Sequence, residues 1–175
     1  KTMLFRAIAG LITVDEGTID VFGKRITDDN SFPDNMGIMI ENIGLWKQLT
    51  GMETLRLIAD IRNVIGTDEI RNALERVGLD PDDKRKYKAY SMGMRQKLVL
   101  AQAIMEKPDL LILDEPTNGF DEQAVKLFQK IIAEEKARGA TCLIATHQKD
   151  DIKELCDKVY NIKEGCCTEA SKEEW

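Results

Sequence analysis

One run of four consecutive large aliphatic residues constrains the fold of this chain more than any other feature. Residues 110–113, Leu-Leu-Ile-Leu, are too continuously apolar for a strand with one wet face and are typical of a strand covered by helices on both faces. The run stops at Asp114 and Glu115, and Pro116 forbids its continuation. Because open α/β sheets bind ligands where their strands end, we expect both carboxylates at a ligand-binding edge.

The two neighbouring carboxylates can divide two tasks between them. Adjacent residues on a strand point to opposite sides, so one of the pair can hold Mg²⁺ while the other holds a reacting water. That division suits phosphoryl transfer. Taken alone, the segment is explained equally well as a buried strand whose end is capped by solvated carboxylates. The rest of the chain has to decide between these interpretations.

Composition excludes several classes of protein. The 175 residues are enough for one domain with a substantial core. With 25 basic residues, 31 acidic residues and a formal charge of -6, there is no overall electrostatic case for a nucleic-acid partner. No apolar run reaches the roughly 18 residues of a membrane-spanning helix. The four cysteines lack a C-x-x-C spacing, which favours reduced thiols over disulfides or a zinc site.

Hydrophobic periodicity alternates between strands and helices. The predicted strands cover residues 18–22, 36–40, 110–114, 141–146 and 158–162. One predicted helix begins at Lys1-Thr2, and a second opens with a capping box from Thr50 to Glu53. Apolar stripes predict two more helices over residues 70–77 and 124–135, and a further helix follows residues 90–96 and runs to about Met105. Two of these helices follow one another without an intervening strand, as in a helical insertion. The alternation elsewhere predicts a mostly parallel sheet with right-handed crossovers.

Lys1 and Thr2 open the first predicted helix and match the last two positions of G-x-x-x-x-G-K-[ST]. In that pattern the lysine reaches the β- and γ-phosphates and the hydroxyl binds Mg²⁺. Two residues are weak by themselves, and their weight comes from the order of the later groups. A strand ending in Asp-Glu follows, and then a strand ending in His147, the only histidine of the chain. Each group falls where a nucleotide γ-phosphate site needs it.

Four short motifs complete the pattern: Tyr-Ser-Met-Gly-Met-Arg-Gln at residues 90–96, Asp-Glu-Pro-Thr, Gly-Phe-Asp and Thr-His. With them, the chain resembles the ATP-binding domain of ABC transporters over essentially its whole length. The resemblance implies an α/β P-loop NTPase with a mostly parallel sheet flanked by helices. It also implies a helical signature subdomain at about residues 42–105, and ATP and Mg²⁺ as ligands.

The resemblance assigns roles to the residues around the central strand. Lys1 and Thr2 would end the Walker A loop, with Thr2 as a ligand of Mg²⁺. Asp114 would act on Mg²⁺ at the end of the Walker B strand, and Glu115 would be the general base. His147 would match the histidine that contacts the γ-phosphate.

Other matches place residues at a two-chain site. Ser91 and Gly93 match the signature that binds the γ-phosphate held by the opposite subunit, and Asp121 matches the aspartate that communicates across the dimer. Met92 stands where the family has glycine, so close backbone approach is less favourable there. Glu41 falls where a glutamine usually links Mg²⁺ and the attacking water to the membrane subunit, so we expect altered metal dependence.

Two further features bear on the biological role. Ile-Glu-Asn at residues 40–42, with Leu-Thr-Gly at 49–51, resembles the subgroup that exports peptide antibiotics such as bacitracin and lantibiotics. Trp46, with Ile43 and Leu45, places exposed-looking apolar bulk close to the groove that receives a membrane subunit in the family. Trp46 could equally anchor its loop to the core of its own domain.

The resemblance therefore implies an ATP-hydrolysing subunit, cytoplasmic and peripheral on the inner face of the cell membrane. Its expected partners are a transmembrane permease subunit and a second ATP-binding domain, in a homodimer or a heterodimer, with no nucleic acid. A soluble ABC protein without a transport role and a nucleotide-incompetent fragment that acts only in protein interaction are the alternatives. Residues 1–175 lack a Walker A glycine loop and the strands before it, so we expect a partial domain that binds ATP poorly.

Overall fold

The computed structural model describes residues 1–26, 31–40, 44–149, 153 and 155–171. Its helices are Thr2–Ile8 (α1), Gly51–Arg62 (α2), Thr67–Arg76 (α3), Met92–Ile104 (α4) and Glu122–Ala137 (α5), with a 3₁₀ turn at Tyr87–Ala89. Its strands are Ile19–Val21 (β1), Lys24–Ile26 (β2), Met36–Met39 (β3), Leu110–Asp114 (β4), Thr141–Ala145 (β5), Val159–Lys163 (β6) and Cys166–Ala170 (β7). None of the helices that the structure describes has the length and apolar character to cross a bilayer.

The central strand β4 lies between β3 and β5 in a parallel three-stranded sheet. All five of its residues are buried. Leu110 and Ile112 pack with Phe5 of α1 on one face, whereas Leu111 and Leu113 join the larger core formed by α2 to α5 on the other. Because alternate residues of a strand face opposite sides, a run without polar residues fills both layers. The predicted buried strand and parallel sheet are confirmed.

The helical insertion consists of α2 and α3, which pack against α4. The predicted capping box is present at the start of α2. The Thr50 N–H donates to Glu53 Oε2 at 2.6 Å, and the Glu53 N–H donates to Thr50 Oγ1 at 3.1 Å. The hydrogen bond from the Thr50 backbone, followed by one from Lys86, lowers the pKa of Glu53 to about 2. The entry into the insertion is thus fixed by local hydrogen bonds.

Strand β5 is shorter and less covered than the sequence predicts. It ends at Ala145 rather than Thr146, and Ala145 is its only fully buried residue. In the described sheet β5 pairs with β4 on one side. On its other side a groove of about 690 Å³, lined by residues of α1, β5 and β6, keeps the strand partly open.

Two antiparallel hairpins, β1–β2 and β6–β7, complete the described fold. The prediction placed a turn at Gly23–Lys24 and ended the last strand near residue 162, so it missed β2 and β7. The turns lie at Phe22–Gly23 and Glu164–Gly165, where all four residues have positive φ angles. Two consecutive positive φ angles are what a type I′ hairpin turn requires. Neither second strand carries an apolar alternation that would reveal it in the sequence.

A buried carboxylate joins the helical insertion to the core. Glu135 of α5 is only 2% exposed. Its Oε1 lies 2.8 Å from a guanidinium nitrogen of Arg76 in α3, and its Oε2 lies 2.8 Å from one of Arg138. Arg138 also donates to the Pro108 carbonyl, which precedes β4. One side chain thus holds α3, α5 and the approach to β4 together.

We expect Glu135→Ala to lower the free energy of unfolding by about 3 kcal/mol, because it leaves two guanidinium groups without their buried partner. Glu134→Ala is the matched control, since Glu134 also pairs with Arg76 but is half-exposed. The control should cost less than about 1 kcal/mol. Urea denaturation of both variants measures the difference. Equal losses would show that burial of the carboxylate does not matter.

Candidate active site

Three elements bring polar side chains to one edge of the sheet. Because β4 and β5 run in parallel, with Asp114 opposite Ala145, the residues that follow them emerge side by side. The start of α1, which packs beside β4, reaches the same edge. The structure thereby brings together five of the predicted site residues: Lys1, Thr2, Asp114, Glu115 and His147.

Lys1 is the central cation of this cluster. Its Nζ donates to the Thr146 carbonyl at 3.0 Å, and it lies 3.3 Å from His147 Nε2 and 3.5 Å from Glu115 Oε1. The Lys1 side chain is 29% exposed, so its charge is only partly screened by water. The partly buried ammonium group of Lys1 is therefore suited to bind an anionic ligand that enters from solvent.

Thr2 and Asp114 form the second pair of the site. The Thr2 hydroxyl donates to Asp114 Oδ2 at 2.5 Å, and Asp114 is only 4% exposed. A hydroxyl and a carboxylate are the hard oxygen donors that Mg²⁺ prefers, and Mg²⁺ commonly takes one or two such protein ligands and completes its shell with phosphate and water. The donor set therefore fits Mg²⁺. Glu41, the other predicted metal ligand, lies outside the described residues.

Glu115 leaves the strand with a left-handed backbone, φ +49°. This conformation costs a residue with a side chain about 1 kcal/mol. It is held by two hydrogen bonds, because the Glu115 N–H donates to the Ala145 carbonyl at 2.8 Å and Glu115 Oε2 accepts the His147 N–H at 3.2 Å. Left-handed non-glycine residues held in this way are concentrated at functional sites. The carboxylate is 12% exposed and thus sheltered, but open to a small ligand.

His147 stands at the open side of the cluster. Its ring is 81% exposed, and Nε2 lies 3.5 Å from Glu115 Oε1. The structure therefore presents two groups of His147 to the same carboxylate, the backbone N–H and the ring. The arrangement orients Glu115 and leaves the ring accessible from solvent.

Two of the other predicted site residues, Ser91 and Asp121, cap helices. Ser91 caps α4, since its Oγ accepts the Met94 N–H at 3.2 Å. Asp121 caps α5 by accepting the Ala124 N–H at 2.8 Å. Across the described ranges, no hydrogen bond or ion pair joins Ser91, Gly93 or Asp121 to Lys1 or the residues around it.

Two residues that the sequence did not point to, Thr117 and Gln148, stabilise the segments around the site. The Thr117 hydroxyl donates to Gln148 Oε1 at 2.8 Å, and Thr117 is only 2% exposed. This bond ties the turn after Glu115 to the segment after His147. A threonine directly after the Asp-Glu-Pro run was the available signal, but its partner lies 31 positions away along the chain.

A backbone link that the sequence did not reveal joins the loop of Trp46 to the signature. The Tyr87 N–H donates to the Leu49 carbonyl at 2.8 Å, and the Lys88 N–H donates to the Lys47 carbonyl at 3.1 Å. Tyr90 follows directly and is buried, and that burial raises its pKa. The segment next to Trp46 and the segment that leads into Ser91 are thus bound to each other.

Comparison with known proteins gives a consistent result. The family model described as ABC transporter matches residues 1–118. The chain is 42% identical over 165 residues to the uncharacterized ABC transporter ATP-binding protein YybJ of Bacillus subtilis (strain 168), covering 94% of this chain and 76% of YybJ. It is 35% identical over 167 residues to the bacitracin transport ATP-binding protein BcrA of Bacillus licheniformis, covering 94% of this chain and 55% of BcrA. The chain therefore spans only about half the length of BcrA.

A solved structure shows the same fold. The dimeric structure of MJ0796, a bacterial ABC transporter cassette, superposes with a TM-score of 0.82 over 94% of this chain and 76% of that chain. Sequence identity between them is 18%. At that identity the match establishes the architecture, a P-loop NTPase fold, and nothing about ligands.

We expect Ser91→Ala to lower the free energy of unfolding by about 1 kcal/mol, because α4 loses its N-terminal cap. Ser91→Asp keeps a capping oxygen and should stay within a few tenths of a kcal/mol of the unmodified protein. Urea denaturation measures both. A comparable loss in the two variants would show that the hydrogen bond to Met94 does not stabilise the helix.

Proposed function

Since the chain belongs to the ABC transporter family of ATP-binding proteins, we propose that it is the ATP-binding and ATP-hydrolysing subunit of a transporter. One observation carries this proposal: the cation, hydroxyl, two carboxylates and histidine of the cluster meet at one sheet edge. Lys1 and Thr2 come from the first helix, whereas Asp114, Glu115 and His147 follow two parallel strands. This is the set of groups that phosphoryl transfer from a nucleotide needs.

Charge on the phosphates would be met by Lys1 and by a Mg²⁺ ion that Thr2 and Asp114 would hold. Thr2 and Asp114 would hold Mg²⁺, which when bound neutralises charge on the β- and γ-phosphates. The Lys1 ammonium, close to both Glu115 and His147, would contact the terminal phosphate. Little covalent chemistry is then left to the protein, since positioning and charge stabilisation account for most of such catalysis.

Glu115 would act as the general base. Its carboxylate would accept a proton from the water that attacks the γ-phosphate in line with the leaving oxygen. The His147 N–H holds the carboxylate in place through a 3.2 Å hydrogen bond. The exposed His147 ring is free to contact the γ-phosphate beside Lys1. Two adjacent carboxylates thus take separate tasks, Asp114 near the metal and Glu115 at the water.

A second ATP-binding domain would complete the site. Within the described part of the chain, Ser91, Gly93 and Asp121 form no hydrogen bond or ion pair with the cluster, which supports a site shared between two chains. We infer a head-to-tail dimer in which the start of α4 of one subunit faces the phosphates held by the other. The backbone N–H groups at the start of a helix favour such an anion. The partner can be a second copy or a related chain.

A transmembrane permease is the proposed membrane partner, at the inner face of the cell membrane. Trp46 supports this proposal because its side chain is 41% exposed. The predicted exposure of Leu45 is wrong, since Leu45 is buried. Ile43 lies outside the described residues. The similarity to BcrA supports export of a peptide antibiotic as the transport task. That similarity favours a transport role over the soluble alternative and over a protein-interaction fragment.

We expect Glu115→Gln to lower ATP hydrolysis by about 10²- to 10⁴-fold while ATP binding is retained, because only the general base is lost. The glutamine oxygen can still accept the His147 N–H. Phosphate release and binding of a fluorescent ATP analogue, measured on the same preparation, separate the two effects. Glu122→Gln, at an exposed position on α5, is the control and should behave like the unmodified protein. Undiminished turnover in Glu115→Gln would refute the assigned role.

We expect Trp46→Ala to weaken association with permease-containing membranes about tenfold, in line with the loss of one aromatic anchor at an interface. ATP hydrolysis without the permease should stay unchanged. Phe22→Ala is the control, since Phe22 is 64% exposed but lies on the β1–β2 hairpin. Co-sedimentation with membranes measures association. Unaltered binding by the Trp46 variant would show that this side chain belongs to its own domain.

A further inference from the structure

Met92 is among the most exposed large apolar residues of the described chain, at 63%, yet its side chain has a defined contact. A β-carbon placed on Gly119 would lie 3.1 Å from both Cγ and Sδ of Met92 and 3.3 Å from its Cε. The Met92 side chain therefore packs against Gly119 on the side where any other residue would carry its β-carbon. Gly119 also has φ +78°. A residue with a side chain would therefore be strained at this position and would also crowd Met92.

The contacted turn, residues 116–120, is held on its core side by other interactions. Thr117 donates to Gln148, and the rings of Phe120 and Phe128 lie 6.5 Å apart. The Phe120 N–H donates to the Thr117 carbonyl at 3.0 Å, which closes the turn internally. Met92 contacts the turn from the side of α4. A β-carbon on Gly93 would likewise lie only 3.2 Å from the Gly119 carbonyl oxygen, so the two elements approach closely.

Both ends of this turn carry predicted site residues. Glu115 precedes it in a left-handed conformation, and Asp121 follows it as the cap of α5. Gly119 lies four residues after Glu115 and two before Asp121, so a displacement of the turn can be transmitted to either residue. Met92 itself comes directly after Ser91, the cap of α4. The Met92–Gly119 contact thus joins the segment of Ser91 to the segment that runs from Glu115 to Asp121.

We propose that Met92 is a positioning residue that holds the turn at residues 116–120, and with it Glu115 and Asp121, in register with Ser91. This inference rests on the proposed function, since those three residues matter through ATP hydrolysis. Methionine suits the role because its unbranched thioether adapts to an irregular surface. A glycine at this position would leave the face of Gly119 without this contact.

The test compares Met92→Ala with Met92→Leu. Alanine removes the contact without harming α4, because it is a good helix former; leucine restores most of the apolar volume. Hydrogen exchange of the amides of residues 117–120 reports the turn directly. We expect about fivefold faster exchange there in the alanine variant, because amide exchange follows the free energy of local opening. The leucine variant should exchange at nearly the original rate.

Steady-state ATP hydrolysis supplies the second measurement. We expect kcat to fall about tenfold in Met92→Ala, because small misplacement of a base is costly, while KM for ATP changes less than about twofold, since Lys1 and Thr2 are untouched. Met92→Leu should recover kcat. Ile61→Ala, which removes another exposed apolar side chain, is the matched control and should change neither quantity.

Several results would overturn the assignment. Unchanged exchange at residues 117–120 in Met92→Ala would show that the contact does not hold the turn. Unchanged kcat, or a kcat that leucine does not recover, would show that the turn does not position the reacting groups. If the unmodified protein hydrolyses no ATP, the proposed function fails, and hydrogen exchange alone decides whether Met92 holds the turn. Met92→Ser replaces the alanine variant if the latter folds poorly.

Discussion

The parallel pairing of β4 with β5 is the constraint on which the rest of the structure depends. Its register sets Asp114 opposite Ala145, so the residues after both strands leave the sheet at the same level. The ladder continues one step further through the bond from the Glu115 N–H to the Ala145 carbonyl. Glu115, whose N–H forms that bond, has a left-handed backbone conformation. The distance between Glu115 and His147 thus follows from strand pairing and does not depend on a flexible loop.

Burial around this edge gives each charged group a defined partner. Asp114 is buried and receives the Thr2 hydroxyl, whereas the more open Glu115 is approached by Lys1 and His147. A buried carboxylate without a hydrogen bond would be costly, so the contact with α1 is needed for Asp114 to lie at the end of an apolar strand. Elsewhere in the protein, the buried carboxylate of Glu135 is likewise paired, with Arg76 and Arg138. There the paired charges join helices and take no part in the candidate site.

Local signals in the sequence located much of this site. The apolar run of β4, its terminal carboxylates and the capping box of α2 each depend on neighbouring residues, so their patterns were readable and the structure has them where expected. Strands β2 and β7, the second strands of the two hairpins, were missed because they carry no apolar alternation. Their type I′ turns contain Phe-Gly and Glu-Gly, which signal a hairpin turn less clearly than Asn-Gly or Asp-Gly. The exposure of β5 was also missed, since coverage of a strand depends on elements far away in the chain.

By itself, then, the sequence determined that the chain is a parallel α/β protein with Asp114, Glu115 and His147 at strand ends, because strand period and residue type are local properties. It also carried the motifs that show the family. Only the tertiary structure decided that Lys1 lies within 3.5 Å of Glu115 and that Met92 contacts Gly119. Only there did the start of α4 prove to pack against the turn that follows Glu115. These are contacts between residues distant in sequence, and their geometry is set by how whole elements pack.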